Sequence, residues 1–173
     1  GDGAGAAVLT RSDHNGQGIL STHLHSEGKH ALELSLKGPS TMHWVPEIIE
    51  ENPQEDIPYY PYMNGQYVFK NAVQRFSEVI MEGLQENGLE VSDIDMLIPH
   101  QANLRISQFI QQKFKLNDDQ VFNNIQKYGN TTAASIPIAL TEAWEQGKIK
   151  EGDHVVLAAF GSGFTWASAV INW

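Results

Sequence analysis

Hydrophobic residues recur along this chain with two different periods, and the elements begin and end where one period gives way to the other. The longest helical stripe runs through Val68, Phe69, Ala72, Val73, Phe76, Val79, Ile80 and Leu84, so its apolar side chains share one helix face. Gly88 stands where such a helix would close in the left-handed region. Leu104, Ile106, Phe109, Ile110 and Phe114 predict a second helix over residues 102–114. A third is predicted over 131–146, with Ile136, Leu140, Ala143 and Trp144 inward, Pro137 in its first turn and Gly147 near its end. Short apolar runs read as strands at 96–98, which Pro99 stops, at 18–25, and at 121–122. Strands at 155–160 and 164–173 flank Gly161-Ser162-Gly163 and form a hairpin. The small-residue opening, 1–10, also reads as a strand. Gly28 and Gly38-Pro39 mark turns. Residues 41–62 read as an excursion loop, because prolines break any long period there and Glu47, Glu50, Glu51, Glu55 and Asp56 crowd it with charge. The order β-β-α-β-α-β-α-β-β predicts an α/β fold, a mixed sheet with packed helices, and no 20–50-residue repeat interrupts it.

Composition narrows the function classes. At 173 residues the chain is expected to form a single domain, 1–173. A formal net charge of −10 argues against nucleic acid as a partner. No run approaches the roughly 18 apolar residues that span a bilayer, and no basic-apolar signal opens the chain, so a cytoplasmic setting is expected. The absence of cysteine excludes disulfides, thiolate metal sites and a cysteine nucleophile within these residues. The chain opens without methionine and runs at once into an apparent strand, so it is expected to be part of a longer protein.

Candidate chemistry gathers at three junctions. His100 lies where the 96–98 strand feeds a helix, the place where open α/β sheets bind ligands. Asn130 lies in Gly129-Asn130-Thr131-Thr132-Ala133-Ala134-Ser135, at the start of the third helix. Ser162 lies in the glycine-rich turn, where its flanking glycines let a backbone N–H approach a ligand. Each has an ordinary structural reading: a structural histidine, an N-cap and a hairpin turn. Together an imidazole N–H, a carboxamide N–H and a backbone N–H make donors for a developing oxyanion or enolate. Residues 96–115 contain Arg105, Lys113 and Lys115 and no carboxylate; with Lys70, this local positive charge suits an acidic partner. A metal site through His23, His25 and His30 was weighed: His23 and His25 share a strand face. Such i, i+2 polar pairs are routine on a half-exposed strand, and no metal is assigned.

Pro99-His100-Gln101-Ala102-Asn103-Leu104-Arg105, the Gly129–Ser135 segment and Ala159-Phe160-Gly161-Ser162-Gly163-Phe164-Thr165-Trp166 closely resemble the β-ketoacyl-acyl-carrier-protein synthase III family of thiolase-like condensing enzymes. Gly1-Asp2-Gly3-Ala4, Ser21-Thr22-His23-Leu24-His25 and Met63-Asn64-Gly65-Gln66-Tyr67-Val68-Phe69-Lys70 match it too, whereas 31–62 matches poorly. The resemblance implies the carboxyl-terminal half of a thiolase-like fold, preceded in 1–10 by the last strand of the amino-terminal half. It implies a Cys-His-Asn enzyme that parks an acyl group from acyl-CoA on a cysteine. The enzyme then decarboxylates malonyl-acyl-carrier protein and condenses the two, initiating fatty-acid synthesis. His100 and Asn130 match the catalytic histidine and asparagine, and the Ser162 N–H an oxyanion donor where the family usually has glycine. Gln101, Ala102, Asn103, Leu104 and Arg105, with Lys70, match the carrier-protein-binding segment, Asn103 toward the pantetheine amides. The implied partners are acyl-carrier protein, acyl-CoA, a cysteine-bearing amino-terminal half and a second copy in a homodimer; no cofactor is implied. Without that cysteine the chain alone is expected to be inactive in condensation. The alternative is a non-catalytic module for carrier-protein binding or dimerisation.

Overall fold

A computed structural model describes residues 1–36 and 61–173. The Gly38-Pro39 turn and most of the expected 41–62 excursion lie outside the described residues.

One four-stranded sheet organises the chain, in the order β1-β6-β5-β4, from β1 (Gly18–Ser26), β4 (Met96–Pro99), β5 (His154–Gly161) and β6 (Thr165–Asn172). β1 and β5 flank β6 antiparallel, and β4 joins β5 in parallel, pairing Met96 with Val155 and Pro99 with Ala158. β2 (Leu34–Ser35) and β3 (Tyr62–Met63) form a small separate ribbon. The helices are α1 (Gly65–Glu86), α2 (Leu104–Phe114), the short α3 (Ile125–Tyr128) and α4 (Ser135–Glu145). The result is a mixed α/β fold with helices packed on a mixed sheet.

The strands' two-residue period sorts the core onto both faces. Leu97, Val156, Ala158 and Val170 join Phe76, Ile80 and Leu84 of α1 and Ile106 and Ile110 of α2 in one cluster. Met96, Ile98 and Val155 join Ala139 and Ala143 of α4 in the other. β4 is therefore buried on both faces, which is why it reads as a continuous apolar run rather than an alternating one. Pro99 fits as its last residue because β4 ends the ladder, and the next N–H, that of His100, reaches the Ala158 carbonyl at 2.8 Å. α1 closes at Gly88, where φ is +66°: Gly88 N–H bonds the Gln85 carbonyl and Leu89 N–H that of Leu84.

Three expectations need correction, and one strand's facing is set by a bulge. Residues 1–10 form no strand; Gly1, Gly3 and Gly5 instead lie against Tyr128, Thr131 and Pro137, with no neighbouring strand to pair their backbone. The 121–122 run contributes one bridge, Val121 to Leu97. Trp144 is 56% exposed, because the stripe that meets the sheet is Ser135, Ala139 and Ala143 at i, i+4 spacing; small side chains let α4 approach closely. On β1 a bulge between Ile19 and Ser21 sets the faces, so that Leu24 is 76% exposed while the polar Ser21 and His23 turn toward α1.

Candidate functional site

His100 enters the site as β4 ends. Its Nδ1 lies 2.6 Å from the Ser135 hydroxyl at the start of α4, and the same oxygen accepts the Gln101 N–H at 3.3 Å. When the hydroxyl donates to Nδ1, the ring proton sits on Nε2, and that tautomer is the one that offers a donor. Burial pushes the His100 pKa below its ordinary value by disfavouring the imidazolium. The group is thus a neutral imidazole with an Nε2–H donor.

Asn130 follows α3. Its carboxamide oxygen accepts the Thr132 N–H at 2.8 Å, so the end left to act is the NH₂, a donor. This Asx turn, rather than an N-cap on α4, is its structural role. Thr132 sits at φ +52°, an unusual conformation for a β-branched residue; such strain persists where the surroundings over-determine it. Here Glu142 of α4 supplies part of that surround. It accepts hydrogen bonds from Lys127 Nζ at 2.7 Å, Asn124 Nδ2 at 2.8 Å and the Tyr128 hydroxyl at 2.5 Å, all just ahead of Asn130. Lys127 first, then Tyr128 and Asn124, hold the Glu142 carboxyl down at about 2.

Ser162 sits in the β5–β6 turn. Among the described residues its N–H has no acceptor, while its hydroxyl donates to the Leu34 carbonyl and its own carbonyl accepts from Thr165 Oγ1. Gly163 is at φ +137°, and a Cβ there would lie 2.8 Å from the Thr165 methyl, so the turn requires glycine.

His100, Asn130 and Ser162, which lie far apart in sequence, line one cavity of about 1390 Å³. Phe69, Phe76, Ile106 and Phe160 give it an apolar wall, and the amino terminus of α4, with its partial positive charge, borders it at Ser135 and Ile136. Such a wall lowers the local dielectric, so that donors act more strongly on charge that develops there.

The residues expected to bind a carrier protein divide. Arg105 is exposed and lines the cavity, as do Ala102 and Asn103; Lys70 is exposed on α1. Neither Arg105 nor Lys70 has a carboxylate partner among the described residues. Asn103 caps α2, its carboxamide oxygen accepting the Arg105 N–H at 2.9 Å. Gln101 is corrected: it is 3% exposed, donating to the Pro99 and Phe122 carbonyls and accepting from the N–H groups of Asn124 and Ile125. With its amide spent inside the protein, it ties β4 to the loop leading to Asn130 and offers no group to a partner. His23 and His25 both meet Glu82, at 3.4 and 2.6 Å, whereas His30 lies apart against Tyr67. No cluster suited to a metal ion occurs among the described residues. The roles of Ser135, Gln101 and Glu142 are not foreseen from sequence. The partners that tie them across the fold lie 14 to 35 residues away, Gln101's bond to the nearby Pro99 carbonyl aside, and no local period marks them.

In sequence and fold the chain is similar to known proteins. Residues 84–173 match the family model for "3-Oxoacyl-[acyl-carrier-protein (ACP)] synthase III C terminal". The chain is 44% identical to the beta-ketoacyl-acyl-carrier-protein synthase III of Roseiflexus castenholzii and 47% identical to that of Caldanaerobacter subterraneus, in each case over 100% of this chain and 51% of the relative. It therefore spans about half the length of these curated relatives. Among solved structures, the Thermus thermophilus synthase III superposes with a TM-score of 0.81 at 39% identity, covering 92% of this chain and 47% of that one. The Aquifex aeolicus enzyme gives 0.81 at 36%, covering 95% and 47%. Both neighbours share a thiolase-like fold, and the chain belongs to the carboxyl-terminal family of 3-oxoacyl-acyl-carrier-protein synthase III.

Proposed function

We propose that this chain supplies the enolate-stabilising part of a decarboxylative condensing site, in a protein that joins a malonyl thioester on acyl-carrier protein to a primer from acyl-CoA. The observation that carries the reading is the shared cavity of His100, Asn130 and Ser162, with the imidazole held neutral and the carboxamide oxygen already occupied. Decarboxylation breaks the bond between the carboxylate and the α-carbon, and the electron pair moves into an enolate with charge on the thioester oxygen. Nε2–H of His100 and the NH₂ of Asn130 donate to that oxygen. One preorganised donor of this type is worth about 3–4 kcal/mol, a factor of ~10²–10³ in rate. The enolate carbon then attacks the acyl thioester, and the N–H of Ser162 receives the oxyanion of the tetrahedral intermediate, which collapses by expelling the thiolate. That thiolate has to come from outside these residues, since the sequence contains no cysteine. Carbon dioxide release drives the reaction, and we assign no cofactor.

The unpaired charge of Arg105 at the cavity, with the exposed Lys70 on α1, supports docking of an acidic carrier protein there, with Ala102, Asn103 and Leu104 alongside. To test the reading, the chain is mixed with a separately made cysteine-bearing half and given acyl-CoA and radiolabelled malonyl-carrier protein. Ketoacyl product from the mixture alone, lost with His100→Ala, is expected. Product from this chain by itself would overturn the assignment of the nucleophile. Carrier binding with no product from any mixture would favour a non-catalytic module.

A further inference from the structure

Beside the β5–β6 turn lies a chain of polar groups centred on the buried His30, with no part in the chemistry above. His30 is 9% exposed, yet both ring nitrogens have partners: Nδ1 lies 3.0 Å from the Tyr67 hydroxyl of α1 and Nε2 3.3 Å from the Glu27 carboxylate. The tyrosine hydroxyl and Nδ1 share a hydrogen bond, while Nε2 faces the Glu27 carboxylate at ion-pair distance. Glu27 is anchored in turn by Lys29 at 2.5 Å and by Arg75 at 2.8 Å, whose guanidinium also covers the Trp166 ring. Lys29 first and then Arg75 hold the Glu27 carboxyl at about 2, so the anchor remains an anion across the working pH range.

This chain grips Phe164, the last residue of the turn. Phe164 is 1% exposed; the His30 ring stacks on it at 5.0 Å, with Phe160 at 4.8 Å and Tyr67 at 6.2 Å. Glu27 and Phe164 exchange backbone hydrogen bonds in both directions, at 2.7 and 2.9 Å. Two residues before Phe164, the Ser162 hydroxyl reaches the Leu34 carbonyl, so residues 27–34 hold both ends of the turn.

We propose that Tyr67, His30 and Glu27 form a positioning device that packs against Phe164 and sets the place of the Ser162 N–H on the cavity wall. The ring stacking alone would leave His30 free to tilt; its hydrogen bond to Tyr67 of α1 and its polar contact with Glu27 at the end of β1 fix its plane and therefore that of Phe164. None of the three touches substrate. The catalytic meaning of the device rests on the role proposed above for Ser162, whereas its structural action does not.

The test has two arms. In this chain, amide exchange is followed at Glu27 and Phe164, whose N–H groups are protected only while the turn is docked. Tyr67→Phe removes one hydroxyl at a third-exposed site and leaves the fold standing; His30→Phe keeps an aromatic ring and removes both polar contacts. Each is expected to speed exchange at both amides about tenfold, with β4 and α4 amides unchanged. His30→Gln, which can still accept from Tyr67 and donate to Glu27, is expected to restore much of the protection. Unchanged exchange at Glu27 and Phe164, or acceleration equal to that in β4, overturns the device. In a complete enzyme containing the cysteine-bearing half, Tyr67→Phe is expected to lower kcat about tenfold with KM within twofold. Faster exchange with unaltered kcat overturns its link to catalysis. A wild-type complete protein without condensing activity refutes the proposed function, and the exchange arm still decides the device.

Discussion

A single hydroxyl decides what His100 can do. When Ser135 donates its proton to Nδ1, the ring, which burial keeps neutral, is a donor at Nε2 rather than a base. The His100 titration midpoint, followed by NMR, is expected below 6.5. The sign for stability follows: between the lowered native pKa and 6.5 the unfolded chain binds the extra proton. The contribution is therefore complete above 6.5 and declines as pH falls toward the native value. Ser135→Ala removes two neutral hydrogen bonds, to His100 Nδ1 and from the Gln101 N–H, about 1 kcal/mol each, and frees the tautomer. The ¹⁵N shifts of His100 are expected to move from a fixed Nε2–H form toward a mixture; unchanged shifts would show that Ser135 has no part in setting the proton. Proline at 99 and histidine at 100 are legible in sequence as the end of a strand at a ligand-binding edge. The hydroxyl that orients the ring is not, because it arrives from 35 residues downstream.

Elements carry their own tests, and α1 shows two effects in competition. Alanine at position 83 would favour an isolated helix by about 1 kcal/mol. In the folded chain its Cβ would lie 2.9 Å from a methyl of Val170 and 3.3 Å from the Ser168 hydroxyl, both on β6. Overpacking against a stiff β-branched side chain costs about 1–3 kcal/mol, so Gly83→Ala is expected to destabilise by about 1 kcal/mol in urea unfolding. A gain in stability would mean that α1 does not sit that close to the sheet. The clamp on α4 is tested by acid. Glu142 stands at about 2 against an ordinary 4.5, so its contribution is complete above 4.5 and disappears as pH falls toward 2. Glu142→Gln is expected to flatten that part of the stability curve and to raise amide exchange across 124–132. The α1 stripe from Val68 to Leu84 is fully legible from its 3.6-residue period, since one face meets one sheet. Trp144 misleads because a short helix of alternating small and large residues offers two plausible faces, and only the sheet selects Ala139 and Ala143.

For the molecule as a whole, charge is the observable. Against a net charge of −10, the surface at Arg105 and Lys70 is locally positive and unpaired among the described residues. Under the proposed function, Arg105→Glu in the complete enzyme is expected to weaken carrier-protein association about tenfold at low salt and to leave acyl-CoA loading near wild type. The difference should shrink as ionic strength rises, because exposed charges are screened beyond about 10 Å at 0.1 M salt. Equal loss of both half-reactions, or no salt dependence, would remove Arg105 from the docking surface.

Sequence by itself determined the three helices, the hairpin, the buried β4 and the three junctions, because each is written locally, as a period, an apolar run or a turn residue. Tertiary structure alone decided the partners. It turned His23 rather than Leu24 toward α1 through a bulge, left 1–10 without a strand to pair with, and spent Gln101 inside the protein rather than on a docking surface. It also brought His100, Asn130 and Ser162 to one cavity. Register, burial and hydrogen-bond satisfaction depend on residues tens of positions away, and a chain's local pattern carries no record of which distant group will arrive to meet it.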